Sequence, residues 1–202
     1  MNLNQGLSEL ALAATEEQLI QLNQYVTLLL RWNRAYNLIS RDTEADIISL
    51  HILDSLSVSP YLQGEVIADV GSGAGLPGIP LAIMHPEKQF YLIESNGKRT
   101  RFLTQCQIEL KLKNIHIVKQ RAEEYHPPTY FDTVLTRAFA NLTDGVLATQ
   151  HLIHHQGMLL AMHGQAPVNA SLPSGITIQR VIPLMVPGLE ASRHLVELAR
   201  KE

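Results

Sequence analysis

A chain of 202 residues, 46% hydrophobic and 17% charged, has room for one α/β domain with a modest extension, and two full domains are not expected. The formal net charge of −3 argues against general, sequence-blind binding to nucleic acids. No uncharged apolar run approaches the ~20 residues that cross a bilayer, and the start of the chain lacks the features of a secretory signal. Together with a single cysteine, these features favour a cytoplasmic protein without membrane contact.

The first part of the chain predicts a helical cap. Thr15 and Gln18 are spaced as in a capping box, and leucines then recur at helical spacing, so a helix is expected over residues 16–34. A second helix is expected from about residue 43 to residue 53. Because strands and helices do not alternate here, we expect residues 1–64 to form a cap or arm on the main domain.

Strands and helices alternate over residues 65–202, which predicts an α/β domain with a mostly parallel, doubly wound sheet. Helices are expected after Pro77 and over residues 97–112 and 143–153. The last two strands have no helical segment between them, so we expect them to pair as a hairpin. The expected strands cover residues 66–69, 89–93, 115–118, 131–136, 158–163, 176–182 and 194–199.

The segment VIADVGSGAGLPGIP (66–80) predicts a strand, a glycine turn and the start of a helix. Such a turn lets a ligand lie against bare backbone at the positive end of a helix. A dinucleotide fingerprint, G-x-G-x-x-G, would need glycine where Leu76 stands. Asp69 instead precedes Gly71, Gly73 and Gly75 in the pattern D-x-G-x-G-x-G, which resembles the first motif of class I S-adenosylmethionine-dependent methyltransferases. A dinucleotide enzyme and a purely structural glycine turn are the alternatives.

Three further positions follow the expected strands at the edge where ligands bind in open α/β sheets. Glu94 ends strand two, 23 residues after Gly71, close to the ~20 at which an acid accepts ribose hydroxyls. The alternative is a surface acid at a strand end. Residues 121–123 follow strand three and should cross the adenine edge. Arg137 follows strand four, at the rim of the same crevice.

Several sequence blocks closely resemble the 16S ribosomal RNA guanine-N7 methyltransferase family (RsmG, also called glucose-inhibited division protein B). The resemblance covers almost the whole chain in order. It implies a Rossmann-like class I methyltransferase fold in which one antiparallel strand completes the parallel sheet. The blocks are WNRAYNLIS (32–40), HILDSL (51–56), DVGSGAGLPGIPLAI (69–83), ESNGKRTRFL (94–103), QRAEEY (120–125), DTVLTRAFANL (132–142) and RHLVEL (193–198).

The resemblance implies a site for S-adenosyl-L-methionine. Gly71, Leu76, Ala122, Glu123 and Arg137 occupy the positions of the family's cofactor contacts. Together with the motif residues and the ribose acid, the predicted cofactor-binding set is Asp69, Gly71, Gly73, Leu76, Glu94, Ala122, Glu123 and Arg137.

The reaction implied is methyl transfer to N7 of a guanine in 16S ribosomal RNA, presented in the small ribosomal subunit. We expect the enzyme to be a monomer. N7 carries a free lone pair, so its attack on the methyl group requires no general base. This agrees with the Thr-Arg-Ala sequence at 136–138, where an Asp/Asn-Pro-Pro motif would otherwise be expected. We assign Arg137 to the catalytic constellation, where it would fix the cofactor or the target nucleotide. The alternative is a structural ion pair with a nearby acid, such as Asp132 or Glu123. A nicotinamide-dependent oxidoreductase and a non-catalytic ribosome-binding factor are the alternative functions.

Basic residues are concentrated between Lys98 and Arg121, where seven of them stand against Glu109 as the one acid. A charge run is often only a solvated helix face, but beside an RNA substrate it predicts an RNA-binding face. His163 stands where the family commonly has lysine, which puts a phosphate contact at that position in doubt. The residues assigned to the RNA are Lys98, Arg99, Arg101, Lys111, Lys113 and Arg193.

Other chemistry-bearing residues have structural interpretations. His151, His154 and His155 have helical i, i+3, i+4 spacing, but without a nearby Cys, Asp or Glu we expect an exposed helix end and no metal site. Cys106 shares a helix face with apolar residues and is expected to be a buried filler. Trp32 is expected to pack between the cap and the main domain, with base stacking as the alternative.

Overall fold

The computed structural model describes residues 1–137, 139, 141–167 and 171–201. Its centre is a seven-stranded sheet with the strand order β3-β2-β1-β4-β5-β7-β6. Strand β7 is antiparallel to both of its neighbours, and the other pairs are parallel. The predicted class I methyltransferase fold is thereby confirmed. The strands are β1 Val66–Val70, β2 Gln89–Ile93, β3 Ile115–Val118, β4 Phe131–Arg137, β5 Ile153–His163, β6 Ile176–Pro183 and β7 His194–Arg200.

Helices surround this sheet and precede it. The first, α1, covers Leu3–Glu9, and the long α2 covers Glu16–Tyr36. Thr15 and Gln18 form the predicted capping box, because each side chain accepts a bond from the other residue's backbone N–H. The remaining helices are α3 Asp54–Leu56, α4 Gly78–Met84, α5 Gly97–Glu109 and α6 Leu142–Thr149.

The second predicted helix, over residues 43–53, is not a regular α-helix. A 3₁₀ turn covers Arg41–Thr43, and a π-helix covers Ile48–Leu53 and leads into α3. The Ser55 hydroxyl donates to the His51 carbonyl at 2.6 Å, so a buried side chain competes for a backbone acceptor of this segment. Wide turns of this kind are frequent at functional sites.

The helical cap and one face of the sheet share a single hydrophobic core. Leu22, Tyr25 and Leu29 of α2 pack in one cluster with Ile67 of β1 and Phe102 of α5. The Trp32 ring lies 5.6 Å from the Phe102 ring, which agrees with its predicted packing between cap and domain. The opposite sheet face has its own cluster, which includes Val134, Val146 and Leu159. Because this core is continuous, residue 64 separates two parts of the sequence and not two separate cores. The division into a cap, residues 1–64, and a methyltransferase domain, residues 65–202, stays a proposal.

The helix predicted over residues 143–153 ends at Thr149, and β5 begins five residues earlier than predicted. Gly157, which we expected to stop the helix, lies inside β5 at a register shift against β4. A Cβ atom there would lie 2.8 Å from the carbonyl oxygens of Phe131 and Asp132. Glycine is therefore required by close backbone approach in a bulge, which local sequence cannot distinguish from a helix stop.

The mistaken extension of this helix to residue 153 also affects the interpretation of His151, His154 and His155. His154 and His155 are exposed on β5, and His151 lies in the 3₁₀ turn Gln150–Leu152, so the helix-end interpretation is wrong. Within the described ranges, no group of three His, Cys, Asp or Glu side chains could hold a metal ion. None of the described helices is both long enough and apolar enough to span a membrane.

Candidate functional site

The glycine loop after β1 is tied to the end of β2 and leaves one side open. The backbone N–H groups of Gly71 and Ser72 donate to the Ile93 carbonyl at 2.9 and 3.3 Å. Gly71 and Gly73 have φ values of +71° and +57°, a region that residues with a Cβ atom rarely adopt. A Cβ atom on Gly71 would meet no atom within 4 Å, and one on Gly73 would meet only the Gly71 oxygen, at 3.7 Å. The loop therefore offers bare backbone beside open space.

Asp69 supports this loop from inside the protein. Its side chain is fully buried, and Oδ2 accepts from the Gly78 N–H at the start of α4, at 2.9 Å. Oδ1 has no hydrogen-bond partner among the described residues. Burial raises the pKa of this carboxyl group to about 7. Leu76 is also buried, so both residues shape the loop from below, and direct cofactor contact by either stays a prediction.

Glu94 joins the end of β2 to the glycine loop. Its Oε2 atom accepts from the Gly73 N–H at 2.9 Å, and Oε1 accepts from the Asn96 N–H at 2.8 Å. Arg99 Nη1 lies 3.5 Å from Oε2. Glu94 is only 5% exposed, so the alternative of a surface acid is wrong. A carboxylate has about four lone-pair directions, so it can accept further bonds from a ligand.

The turn after β3 lies beside this acid because β3 pairs with β2. It contains Ala122 and Glu123 in a 3₁₀ turn over Ala122–Glu124. The His151 side chain lies 3.1 Å from the Ala122 oxygen and 3.2 Å from the Tyr125 oxygen, so its ring N–H anchors the turn. Sequence analysis missed this role of His151, because the contact joins segments 29 residues apart.

Arg137 is the last residue of β4 and is bound to the helical cap. Its Nη2 atom donates to the Leu50 carbonyl and to His51 Nδ1, both at 3.2 Å, and lies 3.4 Å from Asp54 Oδ2. Burial, together with Arg137 and Arg193, lowers the pKa of His51 to about 4, so the ring is neutral at neutral pH. Nδ1 can then accept while Nε2–H faces the Thr43 hydroxyl at 2.9 Å.

Asp54 is the ion-pair partner of two arginines that come from distant parts of the chain. It is 2% exposed, and its Oδ1 accepts from Arg193 Nε at 3.0 Å. We call Asp54, Arg137 and Arg193 the arginine rim. The structural ion pair that we gave as the alternative for Arg137 is present, with Asp54 as its partner. The two acids named as examples were wrong: Asp132 accepts from the N–H groups of Glu65 and Val66, and Glu123 is exposed in the turn after β3. Asp54 lies in the HILDSL block, but this does not identify it as the partner, since Asp132 also lies in a block of the family.

A cavity of about 280 Å³ lies at the ends of β4 and β5, and we call it the strand-end pocket. Its position follows from the sheet register: Val70 pairs with Thr136 and Arg137 pairs with Met162, so the glycine loop, Arg137 and the end of β5 follow one another across three adjacent strands. Burial lowers the pKa of His163. The pocket is lined by the arginine rim together with Phe139, Met162, His163 and Gly164.

The predicted RNA-binding residues lie at three separate places in the structure. Lys98, Arg99 and Arg101 are exposed at the start of α5, next to Glu94. Lys111 and Lys113 follow the far end of this 13-residue helix, which is ~20 Å long. They line a separate groove of about 470 Å³ with residues of α2 and α4. Arg193 belongs to the arginine rim.

Cys106 does not contribute to this site. It is buried in the core, and burial raises the pKa of its thiol, which keeps the sulfur in the unreactive protonated form. Its predicted role as a filler is confirmed.

Similar sequences cover almost the whole chain. A family model described as GidB, rRNA small subunit methyltransferase G, matches residues 18–196. A Vibrio vulnificus protein named ribosomal RNA small subunit methyltransferase G is 50% identical over 194 residues, covering 95% of this chain and 92% of that protein. A Chromobacterium violaceum protein of the same name is 46% identical over 199 residues, covering 97% and 95%.

Solved structures with low sequence identity share the fold. An S-adenosylmethionine-dependent methyltransferase from Aquifex aeolicus has a TM-score of 0.58 at 14% identity, covering 76% of this chain and 92% of that chain. The glycopeptide N-methyltransferase MtfA, solved with S-adenosylmethionine, has a TM-score of 0.60 at 10% identity, covering 75% and 94%. Fold, glycine loop and sequence relatives agree: the chain belongs to the GidB family, rRNA small subunit methyltransferase G, and is an enzyme that uses S-adenosyl-L-methionine.

Proposed function

We propose that this enzyme transfers a methyl group to N7 of a specific guanine in 16S ribosomal RNA, within the small ribosomal subunit. The observation that carries this proposal is the chemistry of the arginine rim beside the open glycine loop. A guanidinium group is permanently protonated and cannot remove a proton. Guanine N7 has a free lone pair and no proton to lose, so a site lined by Arg137 and Arg193 suits this atom.

The residues of the chain would act by binding and orientation. S-adenosylmethionine, when bound, supplies an electrophilic methyl group on sulfur. The open backbone of Gly71 and Gly73 would receive the cofactor, and Glu94 would accept hydrogen bonds from its ribose. The turn with Ala122 and Glu123 would border the adenine. Arg137 would hold the methionine end of the cofactor or the target nucleotide, so that N7, methyl and sulfur lie in line. Such positioning lowers a barrier by up to ~7–11 kcal/mol.

Mapping the methyl group tests the proposal. Small ribosomal subunits from a strain without the homologous enzyme are incubated with the protein and labelled S-adenosylmethionine, and their RNA is digested and analysed by mass spectrometry. The expected result is one N7-methylguanosine per subunit. A methyl group on another atom, or none, would contradict the proposal. The same reaction with protein-free 16S RNA tests whether the assembled subunit is needed.

The two alternative functions are not retained. Membership in a methyltransferase family excludes the nicotinamide-dependent oxidoreductase and the non-catalytic binding factor. RNA contact by Lys98, Arg99, Arg101, Lys111, Lys113 and Arg193, a monomeric state and a cytoplasmic location stay predictions.

A further inference from the structure

The strand-end pocket has the position that a methyl acceptor requires. Gly71 directly follows the β1 residue that pairs with Thr136, and Arg137 pairs with Met162 of β5. Neighbouring strands lie ~4.8 Å apart, so the pocket begins within about two strand spacings of the glycine loop. Its volume of about 280 Å³ is near the lower end of small-ligand pockets, ~300–1,000 Å³, which suits one base better than a longer piece of RNA.

The pocket walls combine flat apolar surface with fixed cations. Phe139 and Met162 supply the apolar part, and Gly164 leaves space at the end of β5, where a Cβ atom would meet nothing within 4 Å. The Phe139 ring lies against α6 at Gly145, where a Cβ atom would lie 3.4 Å from Phe139 Cγ. The Phe139 ring is therefore packed against the first turns of α6 at one edge.

We propose that the strand-end pocket receives the target base itself, turned out of the RNA, with Phe139 stacked on its face. Enzymes that modify a base commonly extrude it and hold it between aromatic and apolar side chains. Arg193 Nε donates to Asp54 and Arg193 Nη1 donates to the Ser192 carbonyl, which leaves Nη2 of Arg193 as a donor for an oxygen of the nucleotide. Methyl transfer needs the N7 lone pair, so this donor must contact an oxygen and not N7. This inference rests on the proposed function and adds Phe139 as a substrate-binding residue.

Substitutions of Phe139 test the stacking. We compare Phe139→Ala, Phe139→Leu and Phe139→Tyr in single-turnover methylation of small subunits from a strain without the homologous enzyme, at saturating S-adenosylmethionine. Loss of base stacking on an aromatic side chain weakens binding about 5- to 150-fold. At subsaturating subunit concentration, we expect the methylation rate to fall by a factor of this size in Phe139→Ala and Phe139→Leu. Phe139→Tyr should keep a near-normal rate. Calorimetric affinity for S-adenosylmethionine should stay within about twofold of wild type.

Tyr130→Ala is the matched control. Tyr130 is an exposed aromatic residue just before β4, at the opposite end of the strand that leads to Phe139, and its removal should leave methylation unchanged. Equal activity of the Leu and Tyr variants would show that Phe139 only fills space, and would overturn the inference. Wild-type activity of Phe139→Ala would do the same while the proposed function stands. If the wild-type protein methylated no subunit, the proposed function itself would fail, and the pocket assignment with it.

Discussion

The glycine loop and the arginine rim are neighbours at the carboxyl ends of the strands, yet they are built differently. The loop lies within one continuous segment, residues 66–80, and is held from outside by the Ile93 carbonyl, by Glu94 and by Tyr25 of α2, whose hydroxyl donates to the Ala74 carbonyl at 2.7 Å. The rim joins Asp54 to Arg137 and to Arg193, which is 139 positions away in the chain. The glycine loop is therefore formed mainly by contiguous residues, with one hydrogen bond from the cap, whereas the arginine rim exists only when the helical cap and the last hairpin are docked. The predictions below separate these two parts.

The largest effect is expected from Asp54→Ala, which removes the anion shared by the two arginines. Breaking a buried ion pair by removing one partner costs ~3–5 kcal/mol, because a charge is left without compensation. Denaturant unfolding should show a loss of this order, and methylation should be lost with it. Asp144→Ala, which removes an exposed acid in the first turn of α6, is the control and should change stability by less than ~1 kcal/mol. A fully stable Asp54→Ala variant would mean that the rim does not hold cap and domain together.

Glu94→Ala should weaken cofactor binding at the glycine loop and leave the ion pairs of the arginine rim intact. It removes charge-assisted hydrogen bonds worth ~1.5–3 kcal/mol each, or about 10- to 150-fold in cofactor dissociation constant per bond. It also frees the Gly73 N–H that the carboxylate holds in this structure. Calorimetric titration with S-adenosylmethionine measures the effect, with Glu87→Ala, an exposed acid just before β2, as the control. Unchanged affinity in a folded Glu94→Ala variant would remove the ribose assignment.

The smallest effect is expected at His163, on the wall of the strand-end pocket. Burial holds its pKa below the ordinary value of 6.5, so its ring gains a proton only as pH falls below that value, and it is neutral at pH 7.5. His163→Lys, which restores the family's usual residue, adds a permanent cation. If this cation meets an RNA phosphate, the slope of log affinity against log salt should steepen by roughly one at pH 7.5.

Two comparisons complete the His163 test. His163→Gln should keep the wild-type slope at pH 7.5, since neither side chain is charged there. Lowering the pH should bring the wild-type slope toward that of the Lys variant, because the histidine then becomes charged. If His163→Lys and wild type had the same slope of log affinity against log salt at pH 7.5, no RNA phosphate would lie near residue 163.

Sequence analysis predicted the loop better than the rim, and the reason is physical. Strand β1, the three glycines and the acid after β2 are specified by contiguous residues, so spacing alone located them within one or two positions. The alternating pattern and the family resemblance together predicted a mostly parallel sheet completed by one antiparallel strand, whereas the order of the strands is known only from their pairing in the structure. Asp54 could not be assigned as the partner of Arg137, because nothing local distinguishes it from Asp132. The bulge at Gly157 and the contact of His151 likewise depend on atoms that are distant in sequence.

The central claim is that Arg137 positions the reacting groups, and the most direct measurement is the single-turnover methylation rate of Arg137→Lys. Saturating S-adenosylmethionine and small ribosomal subunits isolate the step after binding. Lysine keeps the charge but cannot reproduce the planar set of donors that reaches Leu50, His51 and Asp54. We predict a folded variant that is about tenfold slower or more, which corresponds to ~1.4 kcal/mol of lost transition-state stabilisation. A folded Arg137→Lys variant that methylates as fast as wild type would contradict the account.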